Sequence, residues 1–118
     1  MKIVFLILLC LPTLAQTRIQ AADAEKFIGQ TCTVSGYVVH VKIIETSNIR
    51  MAFLDFEQKY PNNPFKVTIF GNEFHRFPKD LDKLYQNKKI QITGTIDTDT
   101  YGTPQIIAHS PDDLLIVE

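Results

Sequence analysis

"TCTVSGYVVHVKII", residues 31–44, is the stretch on which the fold turns. Cys32, Val34, Gly36 and Val38 fall on one side and Thr33, Ser35, Tyr37 and Val39 on the other, the period-two alternation of a strand with one buried face. The run is long for a strand, and Gly36 interrupts it near its middle. A glycine in such a place marks a sharp bend or a close approach of neighbouring chain, as a sheet curling into a barrel requires.

Toward the C-terminus, "ETSN" (45–48) reads as a turn, "IRMAFLDF" (49–56) as a second strand and "PFKVTIF" (64–70) as a third. In the third, Phe65, Val67 and Ile69 oppose Lys66, Thr68 and Phe70. The connection between them contains "YPNNP" (60–64). Its prolines fix φ and its asparagines tolerate turn conformations, so it reads as a rigid hairpin connection. "GNEFHRFPKDLDKLYQN" (71–87) breaks the strand rhythm, with Asn72 suited to cap a turn and Phe74, Phe77, Leu81 and Leu84 at helical spacing. Pro78 bars one continuous helix, so the expectation is a short turn and then a helix from about Pro78 to Tyr85. "KKIQITGTID" (88–97) alternates again, with Gly94 placed as Gly36 is in the first strand. "TDTYG" is a turn, "TPQIIAH" (103–109) a fifth strand and "SPDDLLIVE" a closing segment. On the N-terminal side, "AADAEKFIG" (21–29) reads as one or two helical turns stopped by Gly29. This order predicts a mainly β fold, a five-stranded Greek-key barrel with a helix between strands three and four and a short N-terminal helix. A small β-sandwich with a covering helix is the alternative.

The first residues stand apart. Met1-Lys2 is a short basic start, Ile3–Leu11 is an apolar run too short to span a bilayer, and Thr13 and Ala15 are small residues placed for a signal peptidase. Residues 1–15 read as an export signal cut after Ala15, leaving residues 16–118 as a single domain in the periplasm or medium, with no stable membrane insertion. Bulky Leu9 precedes Cys10 inside the apolar run, which argues against a lipid anchor. Cleavage leaves Cys32 as the lone thiol, so no intramolecular disulfide can form, and its alternating context suits a small core residue.

The chain has 118 residues, 45% hydrophobic and 21% charged, which suits one compact domain. Losing Lys2 leaves eleven Lys and Arg against 13 Asp and Glu, a formal net charge of −2. A protein held mainly by phosphate neutralisation is usually basic, so any nucleic-acid contact here needs a locally segregated patch.

The chain resembles exported bacterial OB-fold proteins, small single barrels akin to nucleic-acid-binding domains. The resemblance is carried by "AADAEKFIGQTCTVSGYV", "FLDF…YPNNPFKVTIF", "YQNKKIQITGTI" and "GTPQIIAHSPDDLLIVE", nearly the whole chain after the export segment. It implies an OB barrel that binds single-stranded nucleic acid, oligosaccharide or another protein on one exposed face. The chain departs from strong nucleic-acid binders in lacking tryptophan and any basic run longer than Lys88-Lys89.

Binding on such a face uses aromatic platforms and scattered cations. The candidates are Tyr37, Arg50, Tyr60, Lys66, Phe70, Arg76 and Tyr101. Each has a plainer role available, a tyrosine packed over a turn or a phenylalanine covering a barrel end. His40, His75 and His109 lack paired zinc spacing, and "DTDT" (97–100) lacks the glycine and terminal glutamate of a calcium loop, so no metal or other cofactor is expected. No nucleophile–base pattern or glycine-rich phosphate loop points to catalysis. The expected function is an exported, non-catalytic module for single-stranded nucleic acid or another extended polymer. An interaction or assembly module for a cell-envelope protein is the alternative.

Overall fold

The computed structural model describes residues 17–117, and the expected export segment lies outside them. The chain runs β1 (Thr17–Gln20), a 3-10 segment (Ala21–Phe27), β2 (Thr31–Glu45), β3 (Arg50–Phe56), β4 (Phe65–Phe70) and a second 3-10 segment (Gly71–Arg76). It continues through α1 (Leu81–Tyr85), β5 (Lys89–Thr95), β6 (Asp97–Thr98), β7 (Pro104–Ile107), a third 3-10 segment (Pro111–Asp113) and β8 (Leu114–Ile116). The fold is mainly β. The strands lie in the order β6-β7-β4-β3-β2-β5-β8, with β1 parallel to the start of β2.

Strand β2 is the spine because it is long enough to serve two ladders. Its first half pairs with β5 and its second half with β3. Ile96 alone separates β5 from β6, and β6 pairs with β7 at the far end of the order. One stretch of chain therefore joins one end of the sheet to the strand next to the other end and curls it around a single core. Val34, Leu54, Phe56, Phe65, Val67, Ile69, Ile90, Ile92 and Ile106 are fully or almost fully buried there. Burying each such side chain contributes roughly 1.5–3 kcal/mol relative to exposure. Cys32 is buried among them, and burial pushes its thiol pKa up.

Both strand glycines sit where neighbouring chain comes close. A Cβ on Gly94 would lie 2.7 Å from Cγ2 of Ile106 on β7. A Cβ on Gly36 would lie 2.6 Å from Glu57 Oε2, 2.9 Å from Ala21 Cβ and 3.0 Å from Phe56 Cδ2.

Several elements differ from the sequence reading. Eight strands form among the described residues where five were expected. "TRIQ", for which no element was expected, is β1, with its single apolar side chain, Ile19, in the core. The closing segment contributes β8, and the fourth strand divides at Ile96. The N-terminal helical turns are 3-10 and not α. Asn72 falls inside the Gly71–Arg76 segment, whose capping position is Phe70. The helix expected from Pro78 begins at Leu81.

The alternation of β2 also reverses. Its register with β3 shifts between Val38 and His40, so Val38 and Val41 both face the core. A bulge of this kind inserts one unpaired residue and exchanges the faces beyond it. Lys42 and Ile44 are thereby turned to the outer surface.

Candidate binding groove

Alternation fixes which side chains leave the core on β2, β3 and β4, and the register sets them in three rows across the sheet. His40, Asp55 and Lys66 form a charged row, Lys42, Phe53 and Thr68 a mixed one, and Ile44, Met51 and Phe70 an apolar one. Tyr60, from the β3–β4 loop, and the β6–β7 turn with Thr98, Asp99, Thr100 and Tyr101 rise beside these rows. Together with Gln105 they enclose a groove of about 710 Å³. Tyr60 and Tyr101 are 62% and 83% exposed, so their rings are available to a ligand.

The polar groups of the groove are largely committed to one another. Lys66 Nζ donates to Asp99 Oδ2 at 2.6 Å and stands 4.4 Å from the centroid of the Phe53 ring. The lysine and aspartate side chains are only 12% and 15% exposed. The other Asp99 oxygen accepts the backbone N–H groups of Tyr101 and Thr103 at 2.8 and 2.9 Å. Gly102, at φ +90°, supplies the left-handed residue that this tight turn needs. Partial burial pushes the Asp99 carboxyl up, but the Lys66 ammonium and the two N–H donors outweigh it and hold it below the usual range.

Asp55 has a different setting. Its side chain is 4% exposed. Asn63 Nδ2 donates to Oδ1 at 3.0 Å, His40 Nδ1 stands 3.6 Å from Oδ2, and the Tyr60 backbone N–H also donates to it. Burial dominates and raises its pKa, only partly offset by Tyr60, His40 and Lys66. Thr68 Oγ1 donates to Gln105 Oε1 at 2.7 Å on the floor. The Asn63 Oδ1 atom is buried without a hydrogen-bond partner.

Four of the seven candidate residues, Tyr60, Lys66, Phe70 and Tyr101, meet in this groove. Tyr37 does not: it is paired with Lys89 on the β2–β5 face, and its backbone N–H donates to Glu57 Oε2. Arg50 lies over the Phe74 ring at 4.6 Å and 3.3 Å from Glu45, in a separate, smaller groove. Arg76 ends the Gly71–Arg76 segment, exposed, and lines neither groove. Lys42, Ile44, Met51, Phe53, Asp55, Asp99 and Gln105 were not among the candidates. Met51 and Phe53 were recoverable, since they oppose Ala52, Leu54 and Phe56 in "IRMAFLDF". Lys42 and Ile44 were not, because the bulge reverses their side.

Parts of three solved structures are similar to this chain. An asparaginyl-tRNA synthetase from Entamoeba histolytica matches at 14% identity and a TM-score of 0.57, over 89% of this chain and 24% of its own. A protein assigned as an aspartyl-tRNA synthetase from Leishmania major Friedlin matches at 9% and 0.55, over 91% and 22%. RecG bound to a three-way DNA junction matches at 16% and 0.57, over 86% and 12%. The chain thus spans less than a quarter of each of these proteins. At such identities the likeness shows the fold, a curled β domain of the OB type. No protein-family model matches the sequence, and no curated protein does.

Proposed function

We propose that the chain is an exported, non-catalytic OB-type binding module that holds a single-stranded polymer, nucleic acid first, in the groove across β2, β3 and β4. In this reading β5 and β6 are one bent strand, and with β2, β3, β4 and β7 they make a five-stranded Greek-key barrel with α1 between its third and fourth strands. The observation that carries the proposal is the convergence of Phe53, Phe70, Tyr60 and Tyr101 on one groove. Base–aromatic stacking is worth about 1–3 kcal/mol per base and tolerates any sequence. The similar structures add support, since two are named as tRNA synthetases and the third as bound to a DNA junction. The non-catalytic part rests on the groove carboxylates, both occupied in fastening loops. Export rests on the character of residues 1–15.

The test is anisotropy of a labelled oligothymidylate of about a dozen nucleotides, within the range one such barrel covers. Binding is expected at low salt, and Phe53→Ala or Tyr101→Ala should weaken it roughly 5- to 100-fold. No association at about 50 mM salt, where phosphate contacts are strongest, overturns the proposal.

The balanced charge of the groove favours a second reading, an extended segment of a cell-envelope protein as occupant. That reading predicts an envelope protein recovered by the native chain and lost with Phe70→Ser. Recovery by both alike defeats it.

A further inference from the structure

Deepening the reading above, on which it rests, we infer that the groove grips its polymer through the faces of its bases, held between Tyr60 and Tyr101, and that its charges engage a single phosphate, at Lys42.

The charges of the groove lead there. Its lining holds two lysines and two aspartates, a formal sum of zero. Lys66 is not free to meet a phosphate, because its ammonium is bound to Asp99 at 2.6 Å and covers one side of the Phe53 ring. A phosphate taking its place on Lys66 would strip Asp99 of the partner that ties the Tyr101 turn to β4. It would also approach a carboxylate that stays ionised and repels it. Asp55 adds a second acidic group on the same floor, facing His40 and Lys66. Lys42 differs from both. It is exposed, on the groove side of β2, and makes no salt bridge among the described residues. It stands beside Phe53 in the register, so a backbone phosphate can reach it while a base lies over the ring.

What remains for affinity is uncharged. Phe70 and Met51 form the apolar end, and the two tyrosines are the most exposed rings of the groove. A polymer lying there gains stacking and desolvation while releasing few counterions. Each phosphate neutralised on a single strand contributes about −0.7 to the slope of log affinity against log salt. The native chain should therefore show a slope near −0.7, where three contacts would give about −2.

The experiment compares a labelled oligothymidylate with the same sequence on an uncharged methylphosphonate backbone, each titrated with the full chain across a range of salt. The uncharged probe is expected to bind within about fivefold of the charged one at physiological salt, losing one phosphate contact. Lys42→Ala, an exposed change that leaves the core intact, should bring the slope of the charged probe close to zero. Tyr101→Ala should weaken both probes alike. Binding of the charged probe with a slope of about −2 or steeper, and failure of the uncharged one, overturns this inference and leaves the module reading standing. Failure of both probes at low salt overturns both.

Discussion

The β3–β4 loop brings Tyr60 to the groove and the β6–β7 turn brings Tyr101, and each is fastened by an aspartate that accepts backbone N–H from its own loop. The aspartates then part ways. Asp99 has a full ammonium at 2.6 Å, and its carboxyl is held below the usual range. Asp55 has an amide at 3.0 Å and an imidazole at 3.6 Å, and burial leaves its carboxyl above that range. Two loops with similar tasks are thus held by different forces, one by an ion pair and one by hydrogen bonds that survive protonation. The difference comes from one position: Lys66 reaches across to the β6–β7 turn and not to its register partner Asp55.

The most damaging change falls on the ion pair. Asp99→Ala strips three donors, the Lys66 ammonium and the N–H groups of Tyr101 and Thr103. The lysine is mostly buried, so the loss should be about 3 kcal/mol, the lower end for breaking a buried pair. Asp55→Ala leaves two neutral donors and should cost less, about 1–3 kcal/mol. Denaturant unfolding of the two variants measures both. Equal losses would show that the ammonium adds nothing to the turn it holds.

Next come the glycines that set each loop's foundation. Gly94→Ala pushes a methyl into Ile106 on β7, just below the Tyr101 turn, and Gly36→Ala pushes one into Ala21 and Phe56, beside the foot of the Tyr60 loop. Each should destabilise by about 1–3 kcal/mol, the usual cost of overpacking. The Gly94 methyl would meet one side chain, Ile106, whereas the Gly36 methyl would meet Glu57, Ala21 and Phe56 together. Gly36→Ala should therefore give the lower midpoint of thermal unfolding, and the reverse order would place the tighter wall on the β7 side.

The role of these glycines was legible in the sequence. A glycine amid clean alternation gives up a packing side chain, which a strand tolerates where the sheet bends or another segment comes close. So were the strands of the curl, since each carries its own apolar period. What the sequence hides is whatever depends on pairing. A one-residue bulge near Val39 leaves no mark in a run of valines, yet it decides that Lys42 and Ile44 face the groove. "TRIQ" carries one apolar residue, and only β2 beside it makes it a strand. Alternation sets Lys66 opposite Val67, but its capture by Asp99, 33 residues later, is a product of the curled sheet. Arg50, by contrast, was legible: alternation sets it with Ala52, Leu54 and Phe56, opposite the Met51 and Phe53 that line the groove.

Acid separates the two aspartates, because they bend stability in opposite directions. The folded chain depresses the Asp99 pKa, so its contribution is present above the unfolded carboxylate's pKa and is lost as pH falls through the folded value. For Asp55 the folded value is raised, so the contribution is present below the unfolded pKa and is lost as pH rises through the folded one. Unfolding midpoints followed across the acid range should separate them. Asp99→Asn should flatten the acid-side loss of stability, and Asp55→Asn should remove the decline seen on raising the pH. Two variants that shift the profile in the same sense would erase the distinction.

The smallest effect tests what lies at the foot of the Tyr60 loop. Glu57 opens that loop in a left-handed conformation, φ 71°, and is held twice by Tyr37: its N–H donates to the Tyr37 carbonyl at 2.8 Å, and its Oε2 accepts the Tyr37 N–H at 3.0 Å. Both bonds are to backbone, so the Tyr37 ring has no part in them and stands half exposed on the other face. Tyr37→Ala keeps both bonds and should leave oligonucleotide affinity unchanged within about twofold. Arg76→Ala should do the same, since an exposed charge away from the groove acts only through salt-screened field. Glu57→Ala loses the side-chain bond, worth about 0.5–1.5 kcal/mol at most, and should loosen the Tyr60 edge while sparing the Tyr101 edge. Affinity that falls with Tyr37→Ala but not with Glu57→Ala would move the contact surface from the groove to the β2–β5 face.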